Sequence, residues 1–392
     1  MIPSLPSVLA GQFIRITSMN FFFFSSVNAF VLLPLYIQQQ GGTEAQIGLV
    51  MGMYNAAGIF CQPLVGAWLD RLGRRPFLLL GVGFATVASL GFNVFASIPL
   101  LAVLRGLQGV GFSAFFVANY TMVVDLVPPE RRGWALGIFG ISGLLSTALA
   151  PLAGEFVIRR LGFHAFFAMT TFAAVGALAL ALGVREAGGA MSTPARGVQV
   201  IREGLEEILR LHMALAFFFG VGTGAIFTFL PTFGELLGVT SLALFYTAYA
   251  GAAMLVRAVG GGLSDTRGRR AVIVPSMFVQ AAATGILAVL GLLIGTRATI
   301  PVLPFLFLSG LLAGGAHGFL YPALAALLMD ETAPARRGSA VGMFSSVFLA
   351  GNALGAIVFG FVVHGLGYGI MWTALTVLLG AGFLASFRLP AG

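Results

Sequence analysis

The chain has 392 residues with a net charge of +8, yet only 9% of its residues are charged and its mean hydropathy is +0.99. Soluble domains carry about 25% charged residues, so this composition excludes an ordinary water-soluble globule and favours a chain embedded in a lipid bilayer. All of its positive charges are arginines, and the absence of lysine excludes a Gly-Lys-Ser/Thr phosphate-binding loop and an enzyme with a Schiff-base lysine.

Apolar segments recur along the whole chain, each long enough for a bilayer crossing of about 20 residues. The first group covers roughly 11–37, 45–69, 76–96, 98–124, 134–158 and 164–184. The second group covers roughly 211–236, 240–264, 271–294, 301–329, 338–363 and 367–387. The sequence therefore predicts an all-α membrane protein with twelve transmembrane helices.

The arginines between these segments are distributed unevenly, and this indicates orientation. If both termini are cytoplasmic, only Arg159, Arg160 and Arg297 lie in outside loops. The cytoplasmic loops and tail then hold Arg71, Arg74, Arg75, Arg131, Arg132, Arg185, Arg196, Arg202, Arg210, Arg267, Arg269, Arg270, Arg336, Arg337 and Arg388. Positive charge is enriched in cytoplasmic loops. We expect a multi-pass protein of a bacterial inner (plasma) membrane, and we do not expect a nucleic-acid binder, since no basic face with interleaved aromatics is present.

One polar stretch, 185–210, divides the chain. Within it Val198, Ile201, Leu205 and Ile208 fall on one helical face, which predicts an amphipathic helix on the cytoplasmic membrane surface. The predicted organisation is a six-helix bundle over 1–184, a linker over 185–210 and a second six-helix bundle over 211–392.

The two halves repeat each other. The segment 66–75 corresponds to 261–270, and the stretch that begins at Asp125 corresponds to the one that begins at Asp330. Internal repeats of this kind are typical of transporters whose substrate site lies between the halves near the membrane midplane. We therefore predict two pseudo-symmetric bundles.

The loop between spans two and three carries the most specific motif. It contains Gly66, Asp70, Arg71, Gly73, Arg74 and Arg75, and its second copy retains Asp265 and Arg269 but has Thr266 in place of the first arginine. With these residues the chain resembles the major facilitator superfamily, twelve-span transporters, and in particular its efflux-permease branch.

The resemblance implies a cytoplasmic latch in which the loop aspartate meets the start of the eleventh span. The expected latch residues are Gly66, Asp70, Arg71, Gly73, Arg74, Arg75, Asp125, Asp265 and Arg269. An aspartate at a helix C-terminus also needs a cation on physical grounds, because the helix dipole disfavours it there. The alternative is that the arginines only anchor orientation.

Several polar residues inside the spans are candidates for substrate binding or proton coupling. Arg105 and Gln108 in span four resemble a second family motif, Arg-x-x-Gln-Gly, which is associated with proton-coupled transport. A charge at membrane depth is a functional hypothesis by default, although Arg105 could instead tie neighbouring helices together. Further candidates are Asn28, Arg257, His317 and Tyr321, each with a structural role as the alternative.

Span five is rich in small residues. Gly140, Gly143, Pro151 and Gly154 are expected to support close helix packing. They partly resemble the family's antiporter motif, with Ala150 where that motif has glycine.

The acidic residues are informative by their position, because all thirteen lie in loops or near span ends. Without a mid-membrane carboxylate, a neutral or anionic amphipathic substrate fits better than a cationic one. We predict a secondary active transporter that works by alternating access, with proton-coupled efflux of a small organic molecule; the alternative is an uptake symporter or uniporter for an organic anion or sugar. No enzyme activity, cofactor or metal is predicted, and the resemblance implies a monomer.

Overall fold

The computed structural model describes residues 7–128, 131–186, 211–239, 241–260, 262–294, 301–332 and 337–390. These ranges are almost entirely helical and contain no strand. The predicted amphipathic helix over 198–210 lies outside the described residues.

Within the described residues, the N-terminal half has six α-helices and one 3₁₀ turn. They are α1 (Ser7–Asn28), the 3₁₀ turn (Ala29–Leu32), α2 (Leu33–Gln39), α3 (Glu44–Leu72), α4 (Arg74–Gly91), α5 (Ile98–Leu126) and α6 (Arg132–Leu182). The first predicted span therefore bends near Pro34, which lies in the first turn of α2. Proline is tolerated at a helix start but not in a helix interior, because it lacks the N–H that would continue the hydrogen-bond ladder.

The described part of the C-terminal half contains six more helices. They are α7 (Leu211–Leu236), α8 (Ala243–Gly260), α9 (Leu263–Arg267), α10 (Arg269–Leu292), α11 (Val302–Glu331) and α12 (Arg337–Ser386). Within the described ranges, eight helical segments are long and apolar enough to cross a membrane. The all-α membrane class predicted from the sequence is thereby confirmed.

Two of these eight segments are too long for one crossing. Helix α6 has 51 residues and α12 has 50, whereas about 20 span a bilayer. Each is broken by a glycine with a positive φ, Gly162 (φ 82°) and Gly367 (φ 81°). Since this backbone conformation is essentially restricted to glycine, the two residues divide α6 and α12 into two segments each. The count of twelve spans stays a prediction, which this division supports.

Glycine also forms the sharp turns in the two copies of the signature loop. Gly73 (φ 85°) is the single residue between α3 and α4, and Gly268 (φ 84°) is the single residue between α9 and α10. The loop motif thus requires glycine because a one-residue reversal between helices uses a positive φ.

The molecule has two ends, named here by their loops. The arginine-rich end contains Gly73 and Gly268, and the arginine-poor end contains Gly162, Gly238 and Gly367. At the arginine-rich end the halves have separate hydrophobic cores, one around Phe115 and Met122 and the other around Phe344 and Leu324. A third core, at the arginine-poor end, is shared and packs Phe30 and Phe166 of one half with Phe229 and Phe233 of the other.

Helices α3 and α12 form the tightest seam between the halves. A Cβ on Gly48 would lie 2.4 Å from the carbonyl oxygen of Ala356, and one on Gly360 would lie 2.8 Å from that of Glu44. Small residues are what permit such close helix contact in membranes. The described cross-half polar contacts also lie at the arginine-poor end or near the middle of the helices, so the molecule is closed at its arginine-poor end.

Candidate functional site

Arg105 lies inside the N-terminal half on α5, and its side chain is buried. Its Nη1 donates a hydrogen bond of 2.8 Å to Gln108 Oε1. Its guanidinium carbon lies 4.5 Å from the ring centroid of Tyr54 and 5.7 Å from that of Phe30, which are cation–π distances. Among the described residues, Arg105 Nε and Gln108 Nε2 have no hydrogen-bond partner. The cluster therefore presents two buried donors and no described carboxylate.

The internal repeat places a matching aromatic group in the C-terminal half. A Cβ on Gly109 would meet the carbonyl oxygen of Tyr54, and a Cβ on Gly314 would meet that of Tyr249 in the same way. The corresponding trios are Tyr54, Phe112 and Phe116 in the first half and Tyr249, His317 and Tyr321 in the second.

The two trios differ in polarity. The rings of Tyr54 and Phe112 lie 5.5 Å apart, while those of Tyr249 and His317 lie 5.6 Å apart. His317 thus occupies the place of a phenylalanine, and within the described residues its Nδ1 has no hydrogen-bond partner. The second half therefore has the polar residues His317 and Tyr321 where the first has Phe112 and Phe116.

Arg257 lies two turns beyond Tyr249 on α8, toward the arginine-rich end. Its guanidinium is close enough to interact electrostatically with the phenol groups of Tyr249 and Tyr321. Its Nη1 also reaches the other half, where it would lie 3.9 Å from a Cβ on Gly140 of α6. Arg105, by contrast, lies one turn from Gly109 toward the arginine-poor end. The two arginines therefore flank the aromatic trios on opposite sides.

Asn28 is engaged in helix contacts. Its Nδ2 lies 3.0 Å from Ser146 Oγ and 3.0 Å from Thr147 Oγ1, both on α6. Asn20, two turns earlier, bonds Ser142 at 2.8 Å. These bonds join α1 to α6, and contact of Asn28 with substrate stays a prediction.

The predicted packing residues of α6 differ in how closely they contact neighbouring side chains. A Cβ on Gly154 would lie 3.0 Å from side-chain carbons of Leu32 and Phe166, and one on Gly143 would lie 3.8 Å from Asn20 Nδ2. Pro151 lies inside the helix and is buried. Gly154 is thus the member of this group at which added volume is least compatible with the packing.

The arginine-rich end holds a symmetric pair of salt bridges. Arg74 Nε lies 3.0 Å from Asp125 Oδ2, and its repeat counterpart Arg269 Nε lies 2.8 Å from Asp330 Oδ2. Each pair links two helices of the same half. The predicted latch residues Gly66, Asp70, Arg71 and Asp265 lie outside the part of the chain whose side chains the structure describes.

Two acidic residues not among the predicted site residues occupy structural positions. The carboxylate of Glu186 accepts hydrogen bonds of 2.8 Å from the backbone N–H groups of Arg74 and Arg75, so it caps α4 beside Gly73. Glu155 on α6 accepts from the backbone N–H groups of Leu242 and Ala243, in the other half. The described residues contain no group of three or more acidic, histidine or cysteine side chains placed to hold a metal ion.

Comparison with known proteins decides the family. The family model of the Major Facilitator Superfamily matches residues 16–300. The chain belongs to the Major Facilitator Superfamily. This confirms the resemblance inferred from the loop at 66–75.

The curated relatives of this superfamily member include proteins named for drug resistance. Multidrug resistance protein 3 of Bacillus subtilis (strain 168) is 31% identical over 144 residues, which is 37% of this chain and 28% of that protein. The inner membrane transport protein YajR of Escherichia coli (strain K12) matches over 40% of this chain and 35% of its own length at 30% identity. These matches thus span about a third of each relative. Multidrug resistance protein MdtG of Salmonella choleraesuis (strain SC-B67) is 24% identical over 83% of this chain and 82% of that protein.

Solved structures show the same fold with other named activities. The nucleoside transporter NupG (D323A mutant) has a TM-score of 0.79 at 16% identity, covering 96% of this chain and 98% of that one. The human organic anion transporter MFSD10 has a TM-score of 0.67 at 16% identity, covering 98% and 100%. At this level of identity the likeness establishes the fold of the superfamily and nothing about substrate.

Proposed function

We propose that this superfamily member is a secondary active transporter that exports a small organic molecule by alternating access, in exchange for protons. The observation that carries the proposal is Arg105, a buried cation with an unpaired Nε between aromatic rings inside the helical core. Burying a charge at membrane depth is expensive, and such residues usually serve a pathway for substrate or protons.

The same surroundings favour a neutral or anionic amphipathic substrate. Neither Arg105 nor Arg257 contacts a carboxylate among the described residues, so an anionic group of a substrate has two cations available. The aromatic rings around Tyr54 and Tyr249 suit the apolar part of such a molecule. A cationic substrate would meet uncompensated positive charge.

Direction and coupling rest on the relatives. Those with drug-resistance names favour efflux, and the Arg105–Gln108 pair resembles a motif of proton-coupled transporters. The alternative is uptake, by symport or uniport, of an organic anion or sugar; nucleoside and organic anion transporters with this fold support it.

The orientation follows from charge. We assign the arginine-rich end to the cytoplasm and both termini to the same side, in a bacterial inner (plasma) membrane. Asp70, Arg71, Arg75, Asp265 and the two salt bridges then belong to a cytoplasmic latch. We take the monomer as the functional unit.

The test uses everted vesicles or proteoliposomes with an acidic lumen and a fluorescent pH indicator. The panel contains aromatic carboxylates, aromatic sulfonates, neutral amphiphiles and cationic dyes. We expect anionic and neutral compounds to dissipate the proton gradient and cationic dyes to leave it intact. A response confined to the cationic dyes would contradict the proposed neutral or anionic substrate class. Movement of protons in the same direction as the substrate would establish symport.

Two arginine variants test whether the response in this assay depends on Arg105. Arg105→Ala should remove the response, whereas Arg160→Ala, which deletes an exposed arginine at the arginine-poor end, should leave it unchanged. Equal responses from the two variants would show that transport does not require the Arg105 side chain.

A further inference from the structure

Glu155 connects the two halves at the arginine-poor end. It lies on α6 and is buried, with 7% of its surface exposed. Its Oε1 accepts a hydrogen bond of 3.1 Å from Leu242 N, and its Oε2 accepts one of 2.7 Å from Ala243 N. Ala243 is the first residue of α8, so a carboxylate of the N-terminal half caps a helix of the C-terminal half.

This contact is favourable on two physical grounds. The first N–H groups of a helix have no partner within it, and the helix dipole attracts negative charge to that end. The carboxylate is also oriented by Arg159, one turn along α6, whose Nε and Nη2 lie 3.0 and 2.8 Å from Glu155 Oε1. Tyr246 of α8 is the other described titratable group that interacts with Glu155 electrostatically.

The opposite seam, between α3 and α12, joins the halves differently, by direct backbone contact and by a more exposed pair in which His364 Nδ1 lies 3.6 Å from Glu44 Oε2. Gly360 is the repeat counterpart of Glu155, because both stand seven residues before the kink glycines Gly367 and Gly162. At Gly360 the helix backbones meet directly, as described for α3 and α12. On the α6–α8 side the helices also pack together, and the buried carboxylate of Glu155 adds two hydrogen bonds between the halves.

We propose that Glu155 is the latch that holds the arginine-poor end closed, and that it leaves the N-terminus of α8 whenever this end opens. The inference rests on the alternating access proposed above, but it is independent of substrate, direction and coupling ion. Its test is therefore a distance measurement that needs no transport.

The experiment measures the separation of the halves by pulsed electron paramagnetic resonance in lipid nanodiscs. The only cysteine, Cys61, is replaced by serine, and spin labels are attached to cysteines introduced at Leu161 and Leu236. Both leucines are exposed at the arginine-poor end, one in each half. We expect Glu155→Gln to raise the long-distance population at least about fivefold, because charge-assisted hydrogen bonds are lost.

A second variant breaks the same contact from the other half. Ala243→Pro removes the N–H that donates to Glu155 Oε2, the shorter of the two hydrogen bonds, and proline is well tolerated at the first position of a helix. It should shift the distances in the same direction, and the double variant should shift no further than Glu155→Gln alone, because Ala243→Pro removes part of the contact that Glu155→Gln already weakens. Glu235→Gln, which deletes an exposed carboxylate at the same end, is the control and should leave the distances unchanged.

The possible outcomes distinguish failure of the Glu155 latch from failure of the proposed transport activity. Unchanged distances in both Glu155→Gln and Ala243→Pro would overturn the latch, as would additive shifts in the double variant. If Glu155→Gln does not fold, Ala243→Pro decides alone. A shift in distance combined with no substrate response in the vesicle assay would support the latch and count against the proposed transport activity.

Discussion

At the scale of single residues, Arg105 is the side chain whose surroundings are hardest to explain by packing alone. Among the described residues it has one hydrogen bond, to Gln108, and two aromatic contacts, and its Nε has no hydrogen-bond partner. If that group binds substrate, Arg105→Ala should lower the substrate flux about 10- to 100-fold, the usual effect of losing a charged hydrogen bond. Radiolabelled substrate uptake into everted vesicles would measure this. An unaltered flux would assign Arg105 to helix packing.

The internal repeat suggests which residue can replace His317. Its counterpart in the first half is Phe112, which makes a similar ring contact with its tyrosine, so His317→Phe should preserve the fold. Imidazoles exchange protons near neutral pH, so loss of His317 should change the pH profile of transport if it carries protons. The profile from pH 5 to pH 9 tests this, with the exposed His164→Phe as control. Matching profiles for His317→Phe and the parent would make His317 a packing residue.

The sequence predicted some of these residues and missed others for a physical reason. Arg105, Gln108 and His317 were found because a polar residue inside an apolar run is visible without a structure. Glu155 and Glu186 were not singled out as site residues, because their partners are backbone N–H groups of helices far away in the chain. The only available signal was an acidic residue beside an apolar span, which usually means a solvated helix end.

At the scale of elements, the glycine kinks make a direct stability prediction. A Cβ on Gly162 would meet nothing within 4 Å, so Gly162→Ala tests the backbone alone. The positive φ should make this variant about 1–3 kcal/mol less stable. Thermal unfolding in detergent would measure the loss as a lower midpoint. The control is Gly83→Ala, at a helical site that also has open space, and it should be neutral or slightly stabilising.

The glycine kinks also show how far the sequence predicted the helices. The predicted spans 134–158 and 164–184 correspond to the two segments of α6, and the segments 76–96 and 98–124 correspond to α4 and α5. Hydrophobic length predicts that a segment crosses the bilayer. It does not reveal that helix continues through Gly162 with a single irregular residue, because that depends on local backbone angles.

At the scale of the whole molecule, the cytoplasmic latch remains a prediction. The Arg74–Asp125 and Arg269–Asp330 salt bridges show that the repeated loops position charges alike in both halves. If Asp70 locks the halves together, Asp70→Asn should lower the transport rate per molecule and leave expression and thermal stability largely unchanged. Vesicle flux normalised to protein amount measures this, with Asp265→Asn in the second copy for comparison. A transport rate in Asp70→Asn equal to that of the parent protein would contradict the latch hypothesis.

The arrangement of the cores is a property of the whole molecule that the repeat could not predict. Two similar halves lead one to expect similar contact at both ends. The described residues instead form one shared core at the arginine-poor end and two separate cores at the other. If the protein alternates between conformations as proposed, this asymmetry belongs to one of them, and a sequence that encodes several conformations does not specify it.

The shared core has an electrical consequence. Phe30, Phe166, Phe229 and Phe233 are fully buried in the one core that both halves share, and we expect a packed apolar core of this kind to exclude a continuous file of water. Protons migrate along water files, so the resting protein should conduct almost no current. A cell that makes many copies of it would keep its membrane voltage until a substrate sets the cycle in motion.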